Sequence, residues 1–211
     1  MPPEFLFFDL GRVLLDFCHD RMVRQMAAVA GVPENTLRQA LMPSGELRPG
    51  DSQWQLEEGT LAEDVFYEQL ADALGCRPPR ADLELAASDI FTPIAPSLAL
   101  LSRLHRAGNR LGLLSNTSPI HWRFFMDGRF PVLNEAFEIA LGSFHLKAMK
   151  PAPPIYQGAA ALTGVAPERI FFADDRADNV AGAIACGWDA IVFTDPLQLT
   201  AELRLRGVAG A

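Results

Sequence analysis

Phe5-Leu6-Phe7-Phe8-Asp9-Leu10-Gly11 sets four apolar residues against an aspartate and a glycine. The apolar run is continuous rather than alternating, which is how a strand buried on both faces of a parallel sheet reads. Comparable runs recur at 111–114, 139–141, 170–173 and 190–193. Helical patterns lie between them, at 96–107 with Leu98, Leu101 and Leu104 in phase, and at 153–163 and 178–186. Strands alternating with helices predict right-handed crossovers and an α/β fold with a doubly wound, Rossmann-like parallel sheet. Ligands of such sheets sit at the carboxyl ends of the strands.

Residues 17–92 break this alternation. Their periodicity is helical, with Met22, Met26 and Val29 on one face and Leu61, Val65 and Leu70 on another. Gly45, Pro49-Gly50 and Pro78-Pro79 divide the stretch into four expected helices. The chain therefore divides into an α/β core, residues 1–16 and 93–211, and a helical insert, residues 17–92. Leaving from the carboxyl end of the first strand, the insert is expected to lie over the site as a lid.

Composition narrows the function. The 211 residues are 49% hydrophobic and 21% charged, an ordinary globular balance with room for one domain and an insert. A net charge of −8 lacks the basic surface that holds a phosphate backbone, so no nucleic-acid partner is expected. No segment approaches the ~18 apolar residues of a membrane span, and the first apolar run has no basic lead of the signal-peptide kind. Cys18, Cys76 and Cys186 are odd in number and far apart, the pattern of reduced thiols in a cytoplasmic protein. Sixteen of the eighteen basic residues are Arg; the two Lys are Lys147 and Lys150. A cramped anion site selects the compact ammonium over the planar guanidinium.

Polar residues follow each predicted core strand. Asp9 and Gly11 follow the first, Ser115-Asn116-Thr117 the second, and Lys147 to Lys150 with Pro151 come after the third. Asp174-Asp175, then Asp178-Asn179, follow the fourth. Singly these are turn formers, helix caps or loop residues. Jointly, at one edge of one sheet, they form a set of carboxylates, a hydroxyl and an ammonium that suits an anionic substrate.

Phe-Asp-Leu-Gly-x-Val-Leu, Leu-Leu-Ser-Asn-Thr, Met-Lys-Pro and Phe-Phe-x-Asp-Asp-x-x-Asp-Asn resemble, in order and spacing, the four motifs of the haloacid dehalogenase-like superfamily. The chain is most similar to the branch with a helical cap and an Asp-Leu-Gly first motif, which includes α-glucose-1-phosphatase-like sugar-phosphate phosphatases. The resemblance implies a Mg²⁺-dependent phosphatase acting on a small phosphorylated metabolite. Asp9 would be the nucleophile and form an aspartyl-phosphate. Asp9, the Gly11 carbonyl and Asp175 would hold Mg²⁺. Ser115 and the Asn116 N–H, at a helix start, would hold phosphoryl oxygens, and Lys150 would add positive charge and steady Asp9. Asp174 or Asp178 would hold metal waters or orient Lys150, and Asn179 would orient the loop.

One position departs from the wider pattern. Most phosphatases of the superfamily carry a second aspartate two residues after the nucleophile, as general acid and base; here it is Gly11. Asp16, His19 and residues of the cap are the possible substitutes. Arg12 faces the cap or the substrate, or forms a surface ion pair. Glu57-Glu58-Gly59-Thr60 reads as a structural turn before a cap helix, and Trp54, Trp122 and Phe125 as packing or pocket lining. Two rival readings follow. A metal-free 2-haloacid dehalogenase has an aromatic residue at the Gly11 position and lacks the Asp174-Asp175 pair. A binding protein with little catalysis would be motivated by Gly11 alone.

Overall fold

The computed structural model describes residues 2–43 and 47–211. Its strands are β1 (Phe5–Phe8), β2 (Leu15–Phe17), β3 (Phe91–Pro93), β4 (Leu111–Ser115), β5 (Ile139–Gly142), β6 (Ile170–Asp174) and β7 (Asp189–Val192). Five of them form one parallel sheet in the order β5-β4-β1-β6-β7, each at a position where the sequence carries an apolar run. Phe8 pairs with Leu113 on one side and Ala173 on the other, so Asp9, Ser115 and Asp174 emerge at the same edge. The register alone gathers residues more than a hundred positions apart.

Alternation of side chains along β1 divides the core into two layers. Leu6 and Phe8 face α6 (Ala95–Arg106), α7 (Pro119–Phe125), α8 (Pro131–Ala136) and α12 (Pro196–Leu205), packing with Leu101, Leu104, Phe125 and Leu203. Phe5 and Phe7 face α10 (Pro153–Thr163) and α11 (Ala177–Ala185), packing with Ile155, Tyr156 and Trp188. Helices cover both faces, which is why the strand residues are apolar on both.

β2 and β3 form a separate antiparallel ribbon that the sequence reading missed. The chain leaves the core on β2 and returns on β3. Between them lie α1 (His19–Ala30), α2 (Glu34–Leu41), α3 (Ser52–Glu58), α4 (Glu63–Leu74) and α5 (Arg80–Ser88), five helices among the described residues where four were expected. The expected break at Gly45 lies outside the described residues. Met22, Val23, Leu37, Leu56, Leu70 and Leu83 form an apolar cluster of the cap's own. Charged and polar bonds tie the cap to the core: Arg123 reaches Glu63 at 2.7 Å and 2.8 Å, and His121 Nε2 lies 3.2 Å from the Ala87 carbonyl oxygen. Among the described residues no helix is long and apolar enough to cross a membrane.

Candidate active site

A cavity of about 470 Å³ lies between the carboxyl edge of the sheet and the cap. The core contributes Asp9, Gly11, Ser115, Lys150 and Asp175 to its wall; the cap contributes Leu47, Trp54 and Glu57. The volume suits a small metabolite.

Lys150 is the centre of the arrangement, 3% exposed. Its Nζ donates to Asp9 Oδ1 at 2.7 Å, Asp174 Oδ2 at 2.6 Å and the Leu114 carbonyl at 2.8 Å. Three ammonium protons meet three acceptors, so the side chain has one satisfied pose. Burial opposes its charge, but the Asp9 and Asp174 carboxylates outweigh that and raise its pKa. Its backbone is clamped as well, the Lys150 N–H donating to Asn116 Oδ1 at 2.8 Å and Asn116 Nδ2 donating to the Lys150 carbonyl at 2.9 Å.

Asp174 is fully buried and its oxygens are occupied. Oδ1 accepts the Arg176 N–H at 2.9 Å and Asn179 Nδ2 at 3.0 Å, while Oδ2 takes Lys150 and a second contact from Asn179 Nδ2 at 3.1 Å. It therefore positions Lys150 and the loop after β6. Asp178 turns outward to Arg176, at 2.6 Å and 3.1 Å, and that guanidinium lowers its pKa.

Asp9, Asp174 and Asp175 bring carboxylate oxygens within 4.8 Å of one another. Three carboxylates against one ammonium leave an excess of two negative charges. Burial pushes Asp9 up to about 7; Lys150 pulls against this, and Asp174 and Asp175 add to it. Burial, then the Asp174 charge, raises Asp175 too. A crowded set of hard oxygen donors short of two positive charges fits a divalent cation such as Mg²⁺. With Asp174 taken up by its own donors, Asp9 and Asp175 are the carboxylates available to it, beside Gly11 on the same wall.

The structure corrects several details of the sequence reading. The helix start expected at Ser115-Asn116 lies further on, because Pro119 sets the first turn and Ser118 accepts from the His121 N–H at 3.2 Å. Ser115 is instead the last residue of β4, and Asn116 lies on the loop before α7. Lys147, paired with Lys150 by composition, caps α9 (Ser143–Leu146) in the left-handed region and is exposed. Arg12, also left-handed at φ 61°, pairs with Asp16 at 3.0 Å and lies 4.9 Å over the Phe17 ring. Trp122 and Phe125 pack in the core, whereas Trp54 lines the cavity. Sequence reasoning passed over Phe17, Phe91 and Glu57 as cavity residues; the adjacent acids Glu57-Glu58 before a glycine were the one available signal for the last.

A family model described as haloacid dehalogenase-like hydrolase matches residues 6–187. A D-ribitol-5-phosphate phosphatase of Bacteroides thetaiotaomicron is 27% identical over 182 residues, covering 83% of this chain and 84% of the relative. Among solved structures, a HAD-family enzyme of Bacteroides thetaiotaomicron in complex with magnesium and inorganic phosphate superposes with a TM-score of 0.80 at 23% identity, covering 91% of this chain and 94% of that one. A HAD-like hydrolase of Porphyromonas gingivalis gives a TM-score of 0.81 at 24% identity, covering 97% and 98% of the two chains. These superpositions establish a shared fold.

Proposed function

This chain belongs to the haloacid dehalogenase-like hydrolases, and we propose that within them it is a Mg²⁺-dependent phosphatase of small phosphomonoesters, with sugar and sugar-alcohol phosphates the favoured class. One observation carries the reading: the Asp9 carboxylate stands at the cavity wall, fixed by Lys150 and flanked by Asp175, in a site short of two positive charges. The phosphatase relative, which acts on a sugar-alcohol phosphate by its name, supports the substrate class. A cavity of about 470 Å³ supports a substrate of that size.

Asp9 attacks phosphorus through a carboxylate oxygen, and the bond to the leaving alcohol breaks. Lys150 holds that carboxylate in one orientation, which removes the entropic cost of aiming it. Ser115, at the end of β4, and the Asn116 N–H, on the loop that follows, donate to phosphoryl oxygens. Asp9, the Gly11 carbonyl and Asp175 would hold a divalent cation, which when bound would supply the charge neutralisation that lets one anion approach another. Water then attacks the aspartyl-phosphate, releasing phosphate and restoring Asp9. Asn179 and Asp174 keep the Lys150 end of the site rigid throughout.

The test is release of inorganic phosphate from a panel of pentitol, pentose and hexose phosphates, with Mg²⁺ and with chelator. Metal-dependent release from at least one member is expected. A panel without turnover, in protein shown to be folded, would overturn the reading.

A further inference from the structure

A phosphatase of this design must protonate the departing alcohol, and the residue two after the nucleophile cannot. Gly11 has no side chain, and the space beside it is filled: a β-carbon there would lie 2.7 Å from the Phe17 ring. Phe17 is itself held, with the Arg12 guanidinium 4.9 Å over its ring and the His19 ring 4.9 Å away. The proton has to come from elsewhere on the wall.

Among the described residues that line the cavity, most titratable groups have work already. Asp9, Lys150 and Asp175 belong to the nucleophile and cation site, and Asp178 is tied to Arg176. Arg12 and Arg176 have no proton to give near neutral pH. Asp16, off the wall, accepts from Arg12 and from the Phe17 N–H at 2.8 Å. His19 lines an adjoining recess. The remaining carboxyl group is Glu57, which enters from the cap side.

Glu57 is also held to the phosphate-binding edge. Its carbonyl accepts the Ser143 hydroxyl at 2.5 Å, and the same oxygen of Ser143 accepts the Thr117 N–H at 3.1 Å. Thr117 lies on the loop that follows Ser115. Gly59, at φ 77°, lets the end of α3 settle against α9, where a β-carbon would come 2.5 Å from the Phe144 carbonyl oxygen. Gln53 Nε2 donates to Glu57 Oε1 at 2.7 Å and is the one protein donor to that carboxyl group among the described residues.

We propose that Glu57 is the general acid and base of this site, supplied by the cap in place of the side chain that Gly11 lacks. The inference rests on the phosphatase reading. As Asp9 bonds to phosphorus, the electron pair of the breaking P–O bond goes to the alcohol oxygen, which takes the Glu57 carboxyl proton. The Glu57 carboxylate then takes a proton from the water that attacks the aspartyl-phosphate, and both residues return to their starting states. An in-line displacement directs the leaving oxygen away from Asp9, toward the cap, the side from which Glu57 enters. Burial, with the Gln53 hydrogen bond opposing it, pushes the Glu57 pKa up to about 7, so the group carries its proton below neutral pH and exchanges it around neutrality.

The experiment compares kcat/KM of Mg²⁺-loaded wild type, Glu57→Gln and Glu57→Asp on p-nitrophenyl phosphate and on the pentitol or hexose phosphate that wild type cleaves fastest. General acid help is worth roughly 10²–10⁴-fold. Glu57→Gln should lose that factor on the sugar-type ester, whose alkoxide needs the proton. It should lose less than about tenfold on the aryl ester, whose phenolate leaves unaided. On the sugar-type ester, wild-type kcat/KM should fall as pH rises through about 7, as Glu57 loses its proton, and Glu57→Gln should lack that limb. A merely structural role would move neither the leaving-group dependence nor the pH profile. Equal losses on both esters, or no loss, would overturn the assignment while leaving the phosphatase intact. Should Glu57→Gln fail to fold, Glu57→Asp must show the same leaving-group bias, and its absence overturns the proposal. A wild type inactive on both esters would remove the phosphatase reading and this inference with it.

Discussion

Replacing Lys150 with methionine removes the ammonium and keeps much of the side-chain volume. Three acceptors then lose their donor together: Asp9 Oδ1, Asp174 Oδ2 and the Leu114 carbonyl. Asp9 and Asp174 are 7% and 0% exposed, so water does not replace what is lost. Removing one partner of a buried ion pair costs about 3–5 kcal/mol, because the surviving charge stays buried. At about 2–4 °C per kcal/mol for a chain of this length, Tm should fall by about 6–20 °C. The pH dependence has a definite sign. Asp9 sits at about 7 even with Lys150 beside it, and loss of the ammonium raises it further. A carboxyl group whose folded pKa lies above its unfolded value stabilises the fold fully below the unfolded pKa, and that contribution is lost as pH rises through the folded one. The deficit of Lys150→Met should therefore widen above neutral pH and narrow in mild acid. Thermal unfolding of both proteins, on each side of pH 7 and in chelator, measures it. A loss under about 2 °C above neutrality, or a deficit that grows in acid, would refute the reasoning.

Two further outcomes follow from the same geometry. Mg²⁺ at about a hundred times its Kd should stabilise wild type by about 2.7 kcal/mol, and Asp175→Asn should abolish most of that shift; an equal shift in the variant would remove Asp175 from the cation site. Gly11→Asp should fail to raise turnover and should destabilise by about 1–3 kcal/mol in chemical denaturation, because its side chain meets the Phe17 ring. Stability equal to wild type would show that the ring gives way.

The parallel sheet was legible because burial on both faces makes a strand apolar throughout, as at Phe5 to Phe8 and Phe171 to Ala173. The gathering of Asp9, Ser115, Lys150 and Asp174 followed from topology, since a parallel sheet delivers every strand to one edge. The β2–β3 ribbon was not legible: three residues a side are too few to show a period. Composition alone set the two lysines together, and only the Met-Lys-Pro motif singled out Lys150; Lys147 has a left-handed backbone and is exposed. Glu57 was hidden by a correct observation beside it. Gly59 does cap α3 in the left-handed region, and that structural role explains the turn without saying where the preceding carboxyl group points.

The central claim is that Asp9 acts as the nucleophile of a metal-dependent phosphatase. The most direct measurement is hydrolysis of p-nitrophenyl phosphate by wild type and Asp9→Asn, each with Mg²⁺ and with chelator. The good leaving group frees the phosphorylation of Asp9 from its need of a proton donor. The account predicts release by wild type that requires Mg²⁺, and none above background from Asp9→Asn at an unfolding profile that still shows a cooperative fold. Release that survives in Asp9→Asn would contradict it.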